Sequence, residues 1–342
     1  MLTREQRRSA LAQRCPCSYP LNDASLVGVA LLHAQVTFRF SGGISNEQLK
    51  QNVERNVSAL LSEINNAESA GRSLDFAGIR ITETARGGLS SLWANLRFRC
   101  EWKTNVQNCL RDVQEFEIRQ IPVEMKPLDN TYKGEIHKEL TVSFNRNGMI
   151  TGVRTAMDNN SYMSLMAGGM SVKDVRMRRE ILKFVEDFRS YYDEKNLSAI
   201  DEIFSDNALI ITGRVLRKDL TSQSNADIRI PGKNIIFNKQ TKTQYINNLR
   251  NVFRVNRYIK VDFSDIELIR HSSRENIYGV RLRQRWNSQR YNGGTYMDDG
   301  YVFLLWDFND EEHPKIHVRS WSPVSGEVSS DNLLSPDDFS GL

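Results

Sequence analysis

The chain of 342 residues has little cysteine and little histidine, four and five residues respectively. Four cysteines in a chain of this length argue against a disulfide-rich framework. None of them has the sequence spacing that is typical of metal ligands. Cys15 and Cys17 form a CPC sequence that lacks the two-residue gap of zinc and redox motifs. Cys100 and Cys109 are the candidate disulfide: an exported chain would bond them, whereas a cytosolic chain would keep two reduced, buried thiols. Both alternatives stay open, and no metal is predicted.

Long apolar runs are also absent, and the longest is Leu26–Leu32. A membrane-spanning helix needs about 18 apolar residues, so the chain is not predicted to span a membrane. The run follows a basic stretch and precedes the small residue Ala34, a pattern that indicates a secretory signal cleaved before Gln35. Residues 1–34 are therefore predicted to be a signal or leader segment of a periplasmic or secreted protein. The alternative is a disordered leader or an over-long start on a cytoplasmic protein.

Clustered positive charge is missing as well, since the formal net charge is only +4. Nucleic-acid binding would require a basic surface with interleaved aromatic residues, so no nucleic-acid partner is expected. Arg281, Arg283 and Arg285 form the clearest basic stripe, which we interpret as cross-strand partners of acids such as Asp298 or Asp299 on a solvated face. There is no glycine-rich phosphate loop, nucleophile elbow, HExxH or EF-hand pattern, so no cofactor is predicted.

Residues 35–165 are predicted to form an N-terminal α+β domain. An alternating strand over 36–40 precedes an amphipathic helix over 45–68, which Ser45 begins as a capping residue. Strand-like runs follow, with helical segments predicted around 88–95 and around 105–113.

A glycine pair at 168–169 breaks the periodicity, so the domain boundary is predicted at 165–172. The C-terminal domain, 172–324, begins with a long helix whose apolar stripe covers about one face in three. Two further helices and several antiparallel strands follow, and Thr241 with Gln244 caps the third helix. The polar segment 214–240 is a candidate lid, and residues 325–342 are predicted to be a disordered acidic tail.

The pattern over about 174–323 resembles the nuclear-transport-factor-2-like superfamily, also known as cystatin-like cone folds. The resemblance rests on a helix ending in YYDEKNL, on SAIDEIFSDNALIITG, on the helix TKTQYINNLRNVF and on the strands YGVRLRQRW, GYVFLLWDF and KIHVRSW. It implies an α+β fold in which a curved antiparallel sheet wraps on helices and leaves a conical pocket. The whole chain resembles secreted two-domain proteins of Gram-negative anaerobes. Its N-terminal domain is either a divergent second cone or an unrelated α+β domain.

The superfamily includes ketosteroid isomerase, scytalone dehydratase and polyketide cyclases besides proteins that only bind a partner or ligand, so the fold does not decide function. Matching Asp206-Asn207-Ala208 to the isomerase-type turn places Thr212 at the position of the general base. The same match places Phe188 at the position of the oxyanion-stabilising tyrosine. Neither side chain can perform that role, so the sequence favours a non-catalytic protein.

The last strand carries the main candidate binding residues, because His317, Arg319 and Trp321 alternate along one predicted face. The other candidate pocket residues are Tyr191, Arg283, Trp286 and Tyr301. They predict a site for a small apolar or aromatic ligand, or for a protein partner, unless that face points outward as a polar surface. The alternative functions are a lyase- or isomerase-type enzyme with a rearranged pocket and an assembly module that forms a homodimer.

Overall fold

The structure is a computed structural model that describes most of the chain between residues 35 and 323. The described ranges are 35–111, 115–127, 136–157, 159–169, 172–215, 227–229, 235–271, 274–311 and 313–323. The predicted leader 1–34, the predicted tail 325–342 and most of the candidate lid 214–240 lie outside the described residues.

The first half of the described chain folds into one sheet and two helices. Its elements are β1 (Thr37–Gly42), α1 (Glu47–Ala70), α2 (Glu83–Asn95), β2 (Leu96–Cys100), β3 (Lys103–Arg111), β4 (Glu115–Pro127), β5 (His137–Asn145) and β6 (Ile150–Thr155). The sheet order is β1-β3-β4-β5-β6, and β2 also pairs with β4. Every pair is antiparallel except β1 with β3. The predicted α+β class is confirmed for this half.

Helix α1 packs along this sheet because its apolar residues recur every three or four positions. Val57 and Leu60, for example, are fully buried in the core of the first half. Asn46 rather than Ser45 begins the helix, since its side chain accepts a hydrogen bond from the backbone N–H of Leu49. The predicted helix is therefore confirmed with its start moved by one residue.

The helix predicted over 105–113 is wrong, because this segment belongs to strand β3. Thr104 and Val106 are buried while the residues between and after them are exposed, which is the two-residue period of a strand. β3 pairs with β1 on one side and with β4 on the other. Pairing with two neighbours outweighs the weak local preference of this polar segment.

The second half of the described chain forms a seven-stranded sheet with helices. Its elements are α3 (Asn159–Ala167), α4 (Val172–Asp193), α5 (Leu197–Ile203), β7 (Phe204–Val215), β8 (Asp227–Arg229), β9 (Ile235–Gln240), α6 (Lys242–Val255), β10 (Asn256–Arg270), β11 (Ile277–Arg290), β12 (Thr295–Asp307) and β13 (Lys315–Ser322). The sheet order is β10-β11-β12-β13-β7-β9-β8, antiparallel except for β13 with β7. Thr241 and Gln244 form the predicted capping box of α6.

Irregular positions bend this sheet around its helices. The register of β10 and β11 shifts between Ser264 and Glu267, where Asp265 has a φ of 51°, and such bulges increase local twist. The enclosed core contains Phe188 of α4 and Trp306 of β12, both fully buried. The curved antiparallel sheet packed on helices that the resemblance implies is confirmed, and we call the region between the sheet and helices α4, α5 and α6 the cone. The conical pocket stays a prediction, because apolar side chains fill this region.

Helix α4 is enclosed on both sides. One side carries Ile181, Val185 and Phe188, which belong to the apolar core of the cone. The opposite side carries charged residues, including Glu186 and Arg189, that are nevertheless buried. The sequence predicts burial of the apolar stripe alone. It does not predict burial of the charged face, because a charged helix face is normally exposed to solvent.

The charged side of α4 enters a buried ion cluster with the first sheet. Arg119 of β4 donates to both carboxylate oxygens of Glu186, at 2.6 and 3.0 Å, and Nε of Arg154 donates to Glu186 at 3.2 Å. The backbone N–H of Met157 donates to the same carboxylate at 2.9 Å. Burial alone raises the pKa of Glu117, but its contacts with Arg154 and Arg119 outweigh burial and lower that pKa to about 2. Paired charges thus join α4 to the first sheet.

The domain boundary at 165–172 stays a prediction. Helix α3 extends into it as far as Ala167, and Ala34–Leu342 is one compact unit. None of the described helices combines the length and the apolar composition that a membrane crossing requires.

Candidate functional site

Strand β13 sends Arg319 and Trp321 into the cone but not His317. Ile316 and Trp321 belong to the core of the cone, whereas Val318 packs in a separate cluster on the other face. The register between β12 and β13 shifts opposite His317, which inserts this residue as a bulge. The predicted common face is therefore corrected: the bulge breaks the alternation at His317.

The indole of Trp321 lies against the sheet because glycine occupies both neighbouring strands beneath it. A Cβ atom added at Gly300 of β12 would lie 2.5 Å from Nε1 of Trp321, and one added at Gly213 of β7 would collide with its six-membered ring. The two glycines thus make the close approach of this side chain possible. Trp321 forms a flat aromatic wall of the cone and is 2% exposed.

Replacing Gly300 with alanine is expected to push this indole away from the sheet and to reduce stability by about 1–3 kcal/mol, because the new methyl group overfills a packed site. Urea unfolding followed by tryptophan fluorescence measures both effects. Gly294→Ala is the matched control, since a Cβ there meets Asn292 at an ordinary 3.4 Å. Equal stability of the two variants would contradict the described placement of Trp321.

Arg319 is a buried cation with few partners, 5% exposed. Its Nη2 donates to Oε1 of Gln284 at 3.2 Å, and its guanidinium carbon lies 5.6 Å from the ring centre of Tyr245. Within the described ranges, Nε and Nη1 of Arg319 have no hydrogen-bond partner. Burial opposes the charge, but Tyr245, Tyr192 and Asp298 favour it and raise the pKa of Arg319. The cone therefore contains a permanent positive charge that Gln284 and the tyrosine hydroxyls satisfy only in part.

Two tyrosines from different helices meet beside Arg319. The hydroxyl oxygens of Tyr192 on α4 and Tyr245 on α6 are 2.7 Å apart. Burial raises the pKa of Tyr192 well above its ordinary value, so this hydroxyl stays protonated. Trp286 packs edge-on against Tyr192, with ring centres 5.7 Å apart. Aromatic rings thus line the space around the guanidinium.

Asp298 of β12 is the acidic group beside this cluster. Burial raises its pKa to about 6, although Arg319 and the indole N–H of Trp321 both favour its ionised form. The side chain is half-buried, and its strand partner is Trp286. A carboxyl group with this pKa can take up or release a proton close to neutral pH, which the hydroxyl of Thr212 cannot do.

Arg283 and Tyr301 lie on the outer face of the sheet. They are partners on β11 and β12, and Arg283 binds both oxygens of Asp299 at 2.7 and 2.9 Å. Arg285 also contacts Asp299, at 3.4 Å. The arginine stripe is thus paired across the strands, and the sheet separates Arg283 and Tyr301 from Arg319.

The two remaining candidates lie at different places. Nε2 of His317 is 3.5 Å from a carboxylate oxygen of Asp307, and burial lowers the pKa of His317. Tyr191 is half-buried against the core of the cone, and burial raises its pKa. Of the predicted pocket residues, the structure brings Trp286, Arg319 and Trp321 together.

Cys100 and Cys109 are not joined by a disulfide in the structure, and both side chains are buried. Cys100 on β2 is opposite Val123, and Cys109 on β3 is opposite Ile118, so the two meet β4 at different points. The structure therefore corrects the candidate disulfide. Burial raises the pKa of each thiol to about 12, which makes both poor nucleophiles.

Sequence reasoning missed Asp298, Gln284 and the two tyrosines as members of the site. One signal for Asp298 was available, because neighbouring residues of a strand point to opposite faces. If Asp299 pairs with the outer arginine stripe, Asp298 must point inward. The tyrosines gave no such signal, since aromatic residues on an amphipathic helix are ordinary core residues.

A metal centre is not evident in the part of the chain that the structure describes. No three histidine, cysteine, aspartate or glutamate side chains there are grouped closely enough to hold an ion.

No protein-family model and no curated protein matches the chain, but several solved structures are similar to part of it. A nuclear transport factor 2-like superfamily protein from Salmonella enterica is 11% identical with a TM-score of 0.32, covering 45% of this chain and 95% of that one. ActVI-ORFA from Streptomyces coelicolor is 9% identical with a TM-score of 0.29, covering 42% and 94%. Bd1075 from Bdellovibrio bacteriovorus is 14% identical with a TM-score of 0.32, covering 59% and 70%. These scores are too low to carry an argument about this chain, so the description of its second half rests on its own architecture, a seven-stranded and mostly antiparallel sheet packed on helices.

Proposed function

We propose that the cone binds a small aromatic molecule carrying a carbonyl or carboxylate oxygen. The observation that carries this proposal is Arg319, a buried guanidinium whose Nε and Nη1 atoms have no hydrogen-bond partner among the described residues. Burying a charge without a partner is costly. A bound oxygen would satisfy these donors, and charge-assisted hydrogen bonds of this kind are among the stronger ones.

The surroundings of Arg319 support an aromatic ligand. Trp286, Tyr192 and Trp321 supply ring surfaces, and aromatic pairs prefer the edge-on and offset arrangements that such walls offer. Because these atoms are closely packed, entry of a ligand requires the aromatic side chains to move apart.

Titration with benzoate tests this proposal, with benzylamine as a cation of similar size and shape. Three of the five tryptophans, Trp286, Trp306 and Trp321, belong to the core of the cone or pack against it, so fluorescence reports on the site. We expect a saturable change with benzoate and none with benzylamine, because Arg319 repels the cation. Equal responses to both, or to neither, would contradict the proposal.

A second candidate is a lyase- or isomerase-type enzyme, which the pKa of about 6 for Asp298 favours. Ionised Asp298 would remove a proton from the carbon next to a carbonyl group, while Arg319 would stabilise the resulting enolate oxygen. The same proton, or one from solvent, would then return to carbon.

Exchange of the methyl protons of acetophenone in deuterated water, followed by NMR, tests this candidate. We expect the rate to rise with pH and level off above about 6, as Asp298 ionises. Asp298→Asn should abolish the exchange because an amide is not a base. Asp299→Asn, on the outer face, should leave it unchanged. Exchange that survives in Asp298→Asn would exclude the role of this carboxylate.

Export of a mature chain beginning at Gln35 and assembly as a homodimer remain predictions from the sequence. They are compatible with either candidate function.

A further inference from the structure

A cavity lies outside the cone, between the first sheet and strands β10 and β11. It has a volume of about 500 Å³, which is the size of a small-molecule site. Lys138 of β5 lines one side, Arg189 of α4 lies between, and Arg283 and Arg285 of β11 line the other side. Cationic groups from three separate elements thus converge on one space, which we call the cleft.

The charge of the cleft is positive. Four cationic side chains, Lys138, Arg189, Arg283 and Arg285, line it against two carboxylates, Glu139 and Asp262. Asp262 is itself compensated, because its carboxylate lies 3.2 Å from Nζ of Lys138 and 3.3 Å from Nζ of the neighbouring buried Lys260. An anion entering the cleft would therefore meet more positive than negative charge.

Two of these arginines have N–H groups that are free to donate further hydrogen bonds, as judged from the described residues. Arg189 is 4% exposed and uses Nη2 on Thr155, while its Nε has no hydrogen-bond partner among the residues described. Among the described residues Arg285 contacts Asp299 alone, at 3.4 Å, and Arg283 already holds both oxygens of that carboxylate. The planar donor fork of arginine fits phosphate oxygens.

The rest of the cleft is mixed, with the polar residues His137 and Ser264 beside an apolar wall. Pro122 of β4, Ala156 and Met157 contribute this wall. The ring of Phe263 belongs to the opposite face of the sheet, where it packs on Phe188 in the core of the cone. A ligand with a ring or chain beside its charged group would cover these surfaces.

We propose that the cleft binds a phosphate monoester with a small apolar body. The phosphate contacts Arg285 and Arg189, and the apolar body lies against Pro122 and Met157. This site is separate from the cone and does not depend on the function proposed for Arg319.

Calorimetric titration of the full chain with phenyl phosphate tests the proposal. We expect saturable binding that Arg285→Gln weakens by about tenfold, the loss expected for a charge-assisted hydrogen bond. Arg290→Gln is the matched control, because Arg290 is exposed on the same strand but does not line the cleft. The Arg290→Gln variant should bind phenyl phosphate with the same affinity as the unmodified protein. Phenol and inorganic phosphate, each carrying half of the ligand, should bind more weakly than phenyl phosphate.

Other outcomes would overturn the proposal. Absence of binding, or equal binding by the Arg285→Gln variant, would show that the cleft does not recognise the phosphate. Equal affinities for inorganic phosphate and phenyl phosphate would show that the apolar wall does not contribute to binding. Displacement of phenyl phosphate by benzoate would place its binding in the cone.

Discussion

Replacing Glu186 with alanine is expected to lower the free energy of unfolding by about 3–5 kcal/mol, the usual effect of removing one partner from a buried ion pair. The carboxylate accepts hydrogen bonds from Arg119, from Arg154 and from the backbone N–H of Met157. Its removal leaves Arg119 with Glu117 as its remaining ion-pair partner among the described residues. Urea unfolding measures the change.

Glu83→Ala is the control for this variant, because the Glu83 side chain is 85% exposed and its ion pair should contribute little. The effect of pH provides a second check. The folded-state pKa values of Glu117 and Glu186 are lowered, so their stabilisation is complete above the unfolded pKa of about 4.5 and is lost as pH falls. The difference between the unmodified protein and Glu186→Ala should shrink in acid. A constant difference would show that the lost contacts are not ionic.

Replacing Arg319 with methionine is expected to have opposite effects on stability and binding. Methionine fills a similar volume without charge, and removing a buried cation that forms no ion pair among the described residues should raise the free energy of unfolding by about 1–3 kcal/mol. The same change removes the donors proposed to hold the ligand, so benzoate should no longer alter the tryptophan fluorescence.

Urea unfolding and the benzoate titration, run on one preparation, separate these effects. Arg290→Met, at an exposed position, should change neither measurement. A large loss of stability in Arg319→Met would mean that the guanidinium is a structural member of the core. A gain of stability with unchanged benzoate binding would move the ligand site away from Arg319.

Local patterns predicted much of the fold. The apolar stripe of α1, the capping box at Thr241 and the strands of the second sheet follow from residue spacing, because each side chain there is buried by its own element's geometry. The segment over 105–113 could not be predicted in this way, since its neighbours β1 and β4 determine its conformation.

The site was predictable only in part, for two physical reasons. A single bulge at His317 breaks the alternation of β13, and no local sequence signal marks a bulge of this kind. The partners of Arg319 come from α4, α6 and β11, which are distant in sequence and meet only in the folded chain. Arg319 and Trp321 were found because they share one strand.

The position of α4 bears on how the chain acquires its structure during synthesis. Arg119 and Arg154 leave the ribosome before Glu186. These two side chains therefore cannot be buried with all of their ion-pair partners until α4 has been synthesised. The first sheet therefore keeps part of this charge in water until α4 has been made, and the same helix packs in the core of the second half. We expect the nascent chain to acquire both cores late and nearly together, which would leave the unfinished first sheet as the species most dependent on chaperones.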